Sequence, residues 1–404
     1  MPSQQVNQKI LKKKGLISLL LMLSMTAPLS IDMYLPSFPT LLEEFNTNSS
    51  VLNYTLVGFF VFFAIGMLLI GPISDKYGRR NVLLSSIVLY GIASGLCVFV
   101  QSVEVLIAFR ILQAFGAGGM VAVSTAIVKD SFDDVARPKI IATIQMLTVF
   151  APTLAPIIGA FIIRFSNWRA TFVVLFGLAV LAFCFTLMFQ ETLEKENRLK
   201  GNVLQSLATL GDVAKKKAFM TFLILTALIY TIYMAFIAVS SYIYIDWFGL
   251  SETQYSLFFA FNSLILMLGP NVYIRVKDKI KPKKIVLFSL CTVLAAGIVT
   301  FFIGKTSPFI FFFGFIPITF SNSFLRSFTV NMLLGQPNMN AGSTASVINF
   351  TTTALGSVGM VLGALAWSNY ITGIGVIAMF AMSLSFILLY LFYKNGFKLK
   401  GLTE

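Results

Sequence analysis

An apolar run of about 20 residues, the length a helix needs to cross a hydrocarbon core, recurs along this chain and is closed each time by a short polar segment. The runs lie near 16–38, 51–73, 82–100, 104–127, 139–163, 169–189, 219–241, 252–274, 285–303, 307–332, 341–366 and 370–393. A water-soluble core could not bury them one after another, because interior volume is limited. Lipid lifts that limit. Each run is then expected to be a helix, because an unclosed strand leaves its backbone polar groups unsatisfied in lipid. The chain has 404 residues, of which 57% are hydrophobic and 11% charged. A soluble domain carries about 25% charged residues, so little of this chain is left for one. The expected fold class is an all-α integral membrane protein with 12 transmembrane helices.

The charges between the runs set an orientation. The formal net charge is +14, and of the 30 Lys and Arg residues 25 fall on one side of the expected membrane. Arg164, Arg169 and Lys305 fall on the other side, and Arg110 and Arg326 lie inside spans. This is the positive-inside asymmetry, and it places both termini in the cytoplasm. A nucleic-acid surface would not alternate with apolar spans in this way, so no nucleic-acid partner is expected. The basic loops suit anionic lipid headgroups instead. The stretch from Lys9 to Lys14, followed by Gly15–Leu29, has the look of a signal peptide. No small-residue cleavage site follows it, so it is read as a retained first span. The chain has no His, and Cys97, Cys184 and Cys291 are far apart in apolar runs. That excludes a Cys/His metal cluster, a Ser-His-Asp triad and a disulfide framework. No cofactor or metal is expected, and any proton shuttle must use carboxylates.

The longest polar stretch, 190–218, falls in the middle. It is read as a cytoplasmic linker between two six-helix halves, residues 1–189 and 219–404. An internal echo supports duplication. Asp75-Lys76 and Val82-Leu83-Leu84 match Asp278-Lys279 and Ile285-Val286-Leu287 at an offset of 203 residues, whereas Gly71-Pro72 and Gly269-Pro270 lose that register. Two related six-helix halves are a known transporter plan, with the substrate site between them.

Three motifs carry more specific information. The loop after the second run reads Gly71-Pro-Ile-Ser-Asp75-Lys76-Tyr-Gly78-Arg79-Arg80. Gly71 permits close helix approach and Gly78 a tight turn, and Asp75 can cap a neighbouring helix N-terminus. The fourth run holds Arg110-Ile-Leu-Gln113-Ala-Phe-Gly116-Ala-Gly118-Gly119, and the fifth Ala151-Pro152-Thr-Leu-Ala155-Pro156-Ile-Ile-Gly159-Ala160. The first of these resembles motif A of the major facilitator superfamily, the second motif B, and the third motif C, the antiporter motif. Ile73 and Lys76 depart from the usual motif A residues, and Ala155 and Ala160 replace two usual glycines of motif C. Leu29-Ser-Ile-Asp32-Met-Tyr34-Leu35-Pro36 is similar to the drug-exporter branch with 12 spans that includes bicyclomycin and chloramphenicol pumps (Bcr/CflA-like). The resemblance implies the major facilitator fold. It also implies that motif C limits leak, that Arg110 takes part in proton transfer, and that Asp130 pairs with Arg79 to latch the outward-facing state. A solvated loop acid is the plain alternative for Asp130.

Asp32 is the one acidic residue in the interior of a run. A charge at that depth costs roughly 2.5–3.5 kcal/mol on insertion scales. Such a carboxylate can alternate between protonated and ionised forms, as exchange of a proton for a substrate requires. It can also attract a cationic drug, or serve structurally by bonding backbone freed by Pro28 or Pro36. Arg110 can pair with Asp32 or act on it at a distance, or serve structurally. Gln113, on the same helix face at i+3, can hold substrate or a neighbouring helix. Arg326 either binds an anionic group or snorkels to the cytoplasmic edge. Tyr34, Tyr230, Tyr233 and Met234 are candidates for an adaptable wall around flat lipophilic ligands. Gly116, Pro152, Pro156 and Gly159 belong to helix contact and rocking.

Together these readings point to a proton-coupled efflux antiporter for drug-like lipophilic small molecules, working as a monomer in a bacterial cell membrane. The alternative is a metabolite or nutrient carrier on the same fold. A membrane-embedded enzyme is disfavoured, because one Asp and two Arg within the spans make a thin catalytic set. The membrane part of an ATP-driven pump is disfavoured because Gly304-Lys305-Thr306 lacks the upstream glycine of a phosphate-binding loop.

Overall fold

The computed structural model describes residues 10–132, 136–194, 196, 198, 210–337 and 341–402. Twelve long helices occupy them. These are α1 (Lys12–Asp32), α2 (Ser49–Tyr77), α3 (Arg79–Cys97), α4 (Val103–Ser131), α5 (Ala136–Phe165) and α6 (Arg169–Leu187), followed by α7 (Lys217–Ser241), α8 (Glu252–Val276), α9 (Pro282–Ile303), α10 (Pro308–Leu334), α11 (Ala341–Gly363) and α12 (Tyr370–Lys394). Eleven are long and apolar enough to cross a membrane as described, and α5 adds the apolar stretch Phe150–Phe165. The chain is therefore an all-α, multi-pass membrane protein. Within the 190–218 linker, residues 195, 197 and 199–209 lie outside the described residues.

Local chemistry accounts for several helix ends. Ser251 and Gln254 form a reciprocal capping box at the start of α8. The Asn369 side chain accepts from the backbone N–H of Ile371 and Thr372 at the start of α12. Ser307 then Pro308 opens α10, where the missing proline N–H costs nothing.

Two spans depart from a plain helix. Hydropathy predicts one continuous span over 16–38, but α1 stops at Asp32. A 3₁₀ turn, Leu35–Ser37, and a short helix, Phe38–Glu44, follow. Pro36 has no N–H to offer the carbonyl of Asp32, and Pro39 none for Leu35, so the α-helical ladder cannot continue there. Pro28, by contrast, is accommodated inside α1. The seventh run is expected to end at 241, yet α7 continues through a π-helical turn, Tyr242–Trp247. The span so prolonged ends beside a second acidic residue, Asp246.

The described residues form two compact units, one within Met1–Thr47 and Tyr54–Ser206, the other within Asn48–Asn53 and Leu207–Glu404. In the first, glycines bring backbones together. A Cβ on Gly159 of α5 would run into the carbonyl oxygen of Met33, just past the end of α1. One on Gly118 of α4 would run into the carbonyl of Phe63 on α2, and one on Gly116 would lie 2.8 Å from the Ser86 carbonyl of α3. In the second unit, Gly359 of α11 takes the Thr231 carbonyl of α7 in the same way, and Gly363 faces the Ala235 carbonyl. Small residues of this kind let membrane helices pack without a hydrophobic drive between them.

The internal echo is sharper in three dimensions than along the chain. Gly71 is expected to permit close helix approach, but a Cβ there would meet nothing within 4 Å. The close approach of α2 to α4 is made by Gly66, whose Cβ would lie 2.6 Å from the Phe115 carbonyl. Its counterpart in the second unit is Gly269, which faces Ser323 and Phe324 of α10. Gly66 and Gly269 keep the 203-residue offset (269 − 66) that the Gly-Pro pairs lose.

Candidate functional site

Asp32 closes α1, and its side chain is 5% exposed. Its carboxylate makes no hydrogen bond or ion pair among the described residues. A carboxyl so placed takes up or releases a proton without breaking a bond to the protein. The nearby helix surface is polar. Ser30 Oγ lies 2.7 Å from the Tyr90 hydroxyl and donates to the Thr26 carbonyl at 2.6 Å.

Arg110 is fully buried on α4 and is not ion-paired with Asp32. Its guanidinium instead sits among three rings, 4.3 Å from the centroid of Phe59, 4.8 Å from Tyr34 and 5.9 Å from Phe172. Each such contact is worth about 0.5–2 kcal/mol, more as water is excluded. One nitrogen, Nη1, donates to Gln113 Oε1 at 2.5 Å, and Gln113 Nε2 passes the chain on to Ser94 Oγ at 2.7 Å. Nε and Nη2 have no partner among the described residues. Tyr34, 1% exposed, gives its ring to this cage and joins its hydroxyl to Thr55 Oγ1 at 2.7 Å. Arg110, Gln113 and Tyr34 are thus brought together, with no ion pair or hydrogen bond from Asp32 to them among the described residues. Nothing in the sequence singles out Phe59, Phe172, Ser94 or Thr55. Only Gln113, at i+3 from Arg110, is signalled by spacing.

Motif A is organised around Gly78. Its φ of +95° and ψ of 152° suit glycine, and they turn the chain from α2 into α3. Asp75 is expected to cap a helix N-terminus, but that role falls to Glu191. The Glu191 carboxylate accepts from the backbone N–H of Arg79 at 2.9 Å and of Arg80 at 3.2 Å. Asp75 pairs with Arg79 Nη1 at 2.6 Å, and Asp130 with Arg79 Nε at 2.9 Å. Arg80 Nη2 donates to the Leu187 carbonyl at 2.8 Å. A helix start with two orphan N–H groups needs an acceptor, yet no local pattern signals that it comes from 112 residues away. Gly78→Ala should cost about 1–3 kcal/mol in backbone strain, with a Cβ 2.5 Å from Glu191 Oε2 as a further clash. Thermal unfolding in detergent should show a lowered midpoint, and the control Gly177→Ala, whose Cβ meets nothing within 4 Å, should not.

In the second unit, Tyr230, Tyr233 and Met234 lie together, the two tyrosine ring centroids 6.4 Å apart, but only Tyr230 lines a recess. Tyr233 and Met234 are each 5% exposed and buried in packing, with Met234 and Tyr230 against Gly356 of α11. Tyr230 opens onto a recess that it shares with Asn322, Arg326, Thr329 and Thr352. The Arg326 guanidinium carbon lies 5.7 Å from its ring centroid. Pro152 and Pro156 lie within α5, two turns and one turn before Gly159.

Comparison with known proteins agrees with this architecture. Residues 20–364 match the family model described as Major Facilitator Superfamily. The MFS-type transporter YdgK of Bacillus subtilis (strain 168) is 29% identical over 354 residues, 86% of this chain and 88% of that one. A protein of Haemophilus influenzae (strain ATCC 51907 / DSM 11121 / KW20 / Rd), named as a bicyclomycin resistance protein homolog, is 29% identical over 279 residues, 68% of this chain and 69% of that one. Among solved structures, the peptide transporter POT in complex with sulfate superposes with a TM-score of 0.78 at 14% identity, covering 96% of each chain. With its twelve long helices, its two units and the match of a family model over most of its length, this chain belongs to the major facilitator superfamily of membrane transporters.

Proposed function

We propose that this transporter is a proton-coupled antiporter that expels drug-like lipophilic small molecules by alternating access, as a monomer with both termini in the cytoplasm. The observation that carries this reading is the buried carboxylate of Asp32, which has no partner among the described residues and sits at the break of the first helix. A charge kept at such a place costs several kcal/mol, and intramembrane carboxylates of this kind mark ion pathways. The resemblance to motif C supports the exporting direction, and its Gly159 packs against the carbonyl of Met33, next to Asp32. The relative named for bicyclomycin resistance supports a drug-like cargo. In this reading Asp32 holds a proton or, directly or indirectly, the substrate, and Arg110 acts on that exchange from its aromatic cage. The Arg79–Asp130 pair holds one end of the first unit in the outward-facing state.

Everted membrane vesicles test the proposal. Adding a transported compound to energised vesicles should release protons from the lumen in proportion to compound taken up. Uncouplers should stop accumulation, and ATP depletion at constant proton gradient should not. Compound leaving everted vesicles down a proton-driven path, instead of entering them, would favour the carrier of metabolites or nutrients and sink the export reading.

A further inference from the structure

Arg326 is the second cation inside a span, and the exchange built on Asp32 makes no use of it. It lies on α10, about 12 Å along the axis from the Leu334 end at 1.5 Å per residue. Its side chain is exposed, and no carboxylate lies within ion-pair reach among the described residues. A guanidinium at that depth costs about as much as a carboxylate to insert. No acid among the described residues offsets it.

The surroundings indicate what that is. Asn322 and Thr329 flank Arg326 at i−4 and i+3, on the same face of α10. All three line the recess, together with Tyr230 and Thr226 of α7 and Thr352 of α11. The Thr329 hydroxyl is buried and has no hydrogen-bond partner among the described residues. The Asn322 side chain is 6% exposed and makes no hydrogen bond among the described residues. The Tyr230 ring carries the guanidinium on one face, while Leu223, Val330 and Ile348 supply an apolar wall. An arginine fork matches the two oxygens of a carboxylate. An idle amide and an idle hydroxyl beside it complete a small polar pocket of the size of a carboxylate group, bordered by the tyrosine ring and aliphatic groups. One cation with no second basic group among the lining residues matches one negative charge, not two.

We infer that the recess formed by Tyr230, Asn322, Arg326 and Thr329 is a substrate subsite for the carboxylate of lipophilic monocarboxylic acids. This deepens the proposed function and rests on it for the direction of transport. The cargo then includes acidic drug-like compounds, recognised in the second unit, while proton exchange is handled by Asp32 in the first.

The test is ligand-induced thermal stabilisation of the purified full-length protein in detergent. Nalidixic acid, naproxen and 1-pyrenebutyric acid would each be compared with its own methyl ester. For wild type, at least one acid should half-saturate at a concentration about tenfold or more below its ester, as a charge-assisted pair provides. Arg326→Gln should bring that ratio close to one while leaving the ester unchanged. Asn322→Ala should lower the ratio in part, and Arg326→Lys should keep part of it, which also covers a failure of Arg326→Gln to fold. The inference is overturned if no acid outperforms its ester on wild type, or if the preference survives loss of the guanidinium. The two readings part in everted vesicles loaded with the preferred acid and, separately, exposed to it. Binding with inward-directed cellular transport would overturn export alone. Export of neutral or cationic drugs with no acid preference would overturn this subsite alone.

Discussion

With Asp32→Asn, substrate-driven proton exchange should fall to the level of vesicles lacking the protein, while the amount of folded protein stays the same. The two halves of this expectation have separate causes. Transport is lost because the amide cannot take up and release a proton, and no His is available to replace it. Folding is kept because the carboxylate makes no hydrogen bond or ion pair among the described residues that its removal could break. A buried polar group left unsatisfied costs about 1–3 kcal/mol, more when charged, so removing the charge should leave the unfolding midpoint unchanged or raise it. A structural role would give the opposite signature, a lowered midpoint with exchange retained in the surviving protein. Exchange in vesicles and thermal unfolding of the same preparation distinguish the two, and undiminished exchange would end the role assigned to Asp32.

The second large effect is expected at Gly159→Val. Overpacking usually costs about 1–3 kcal/mol, sometimes more. Here the obstacle is the backbone carbonyl of Met33, and no change of rotamer can move it aside. Loss should therefore lie at the upper end of that range or beyond. It would be read as a collapse of the monodisperse peak in detergent chromatography and a lowered unfolding midpoint. Gly71→Val is the matched control. It also lies in an apolar helix, but its Cβ meets nothing within 4 Å, so it should fold like wild type. Equal damage at both positions would show that helix propensity, not the crossing of α1 and α5, decides.

Much of the fold was legible because membrane spans are written in a coarse code. A run of apolar residues of fixed length survives errors of a few residues at either end, and α6 and α12 fall close to where hydropathy puts them. The break in the first span was written in Pro36 and Pro39, but apolar character runs straight through it, and hydropathy does not see a missing N–H. The candidate site was legible in its charged members alone. Asp32 and Arg110 stand out because charges are rare in spans. The rings around Arg110 come from residues 34, 59 and 172. Among 41 Phe and 13 Tyr, no spacing gathers those three into one cage. Glu191 was hidden for a different reason. Its partners, the first N–H groups of α3, exist only once that helix has formed, so no side-chain pattern records the need for it. Gly66 was masked by the more conspicuous Gly71-Pro72 beside it.

The glycine-to-carbonyl crossings separate what can drift in this protein from what cannot. At Gly159, Gly359 and Gly118 the distance between helices is set by main chain against main chain, which no second-site side-chain change can restore once a Cβ intrudes. Residues such as Asn322 and Thr352 meet the recess with their side chains, and a change there does not bring main chain against main chain. With the recess as the inferred subsite, selection acting on a descendant of this chain should revise its cargo in single steps, on a frame that tolerates almost no revision. Saturation mutagenesis under drug pressure would then recover its gains at recess positions and leave those three glycines untouched.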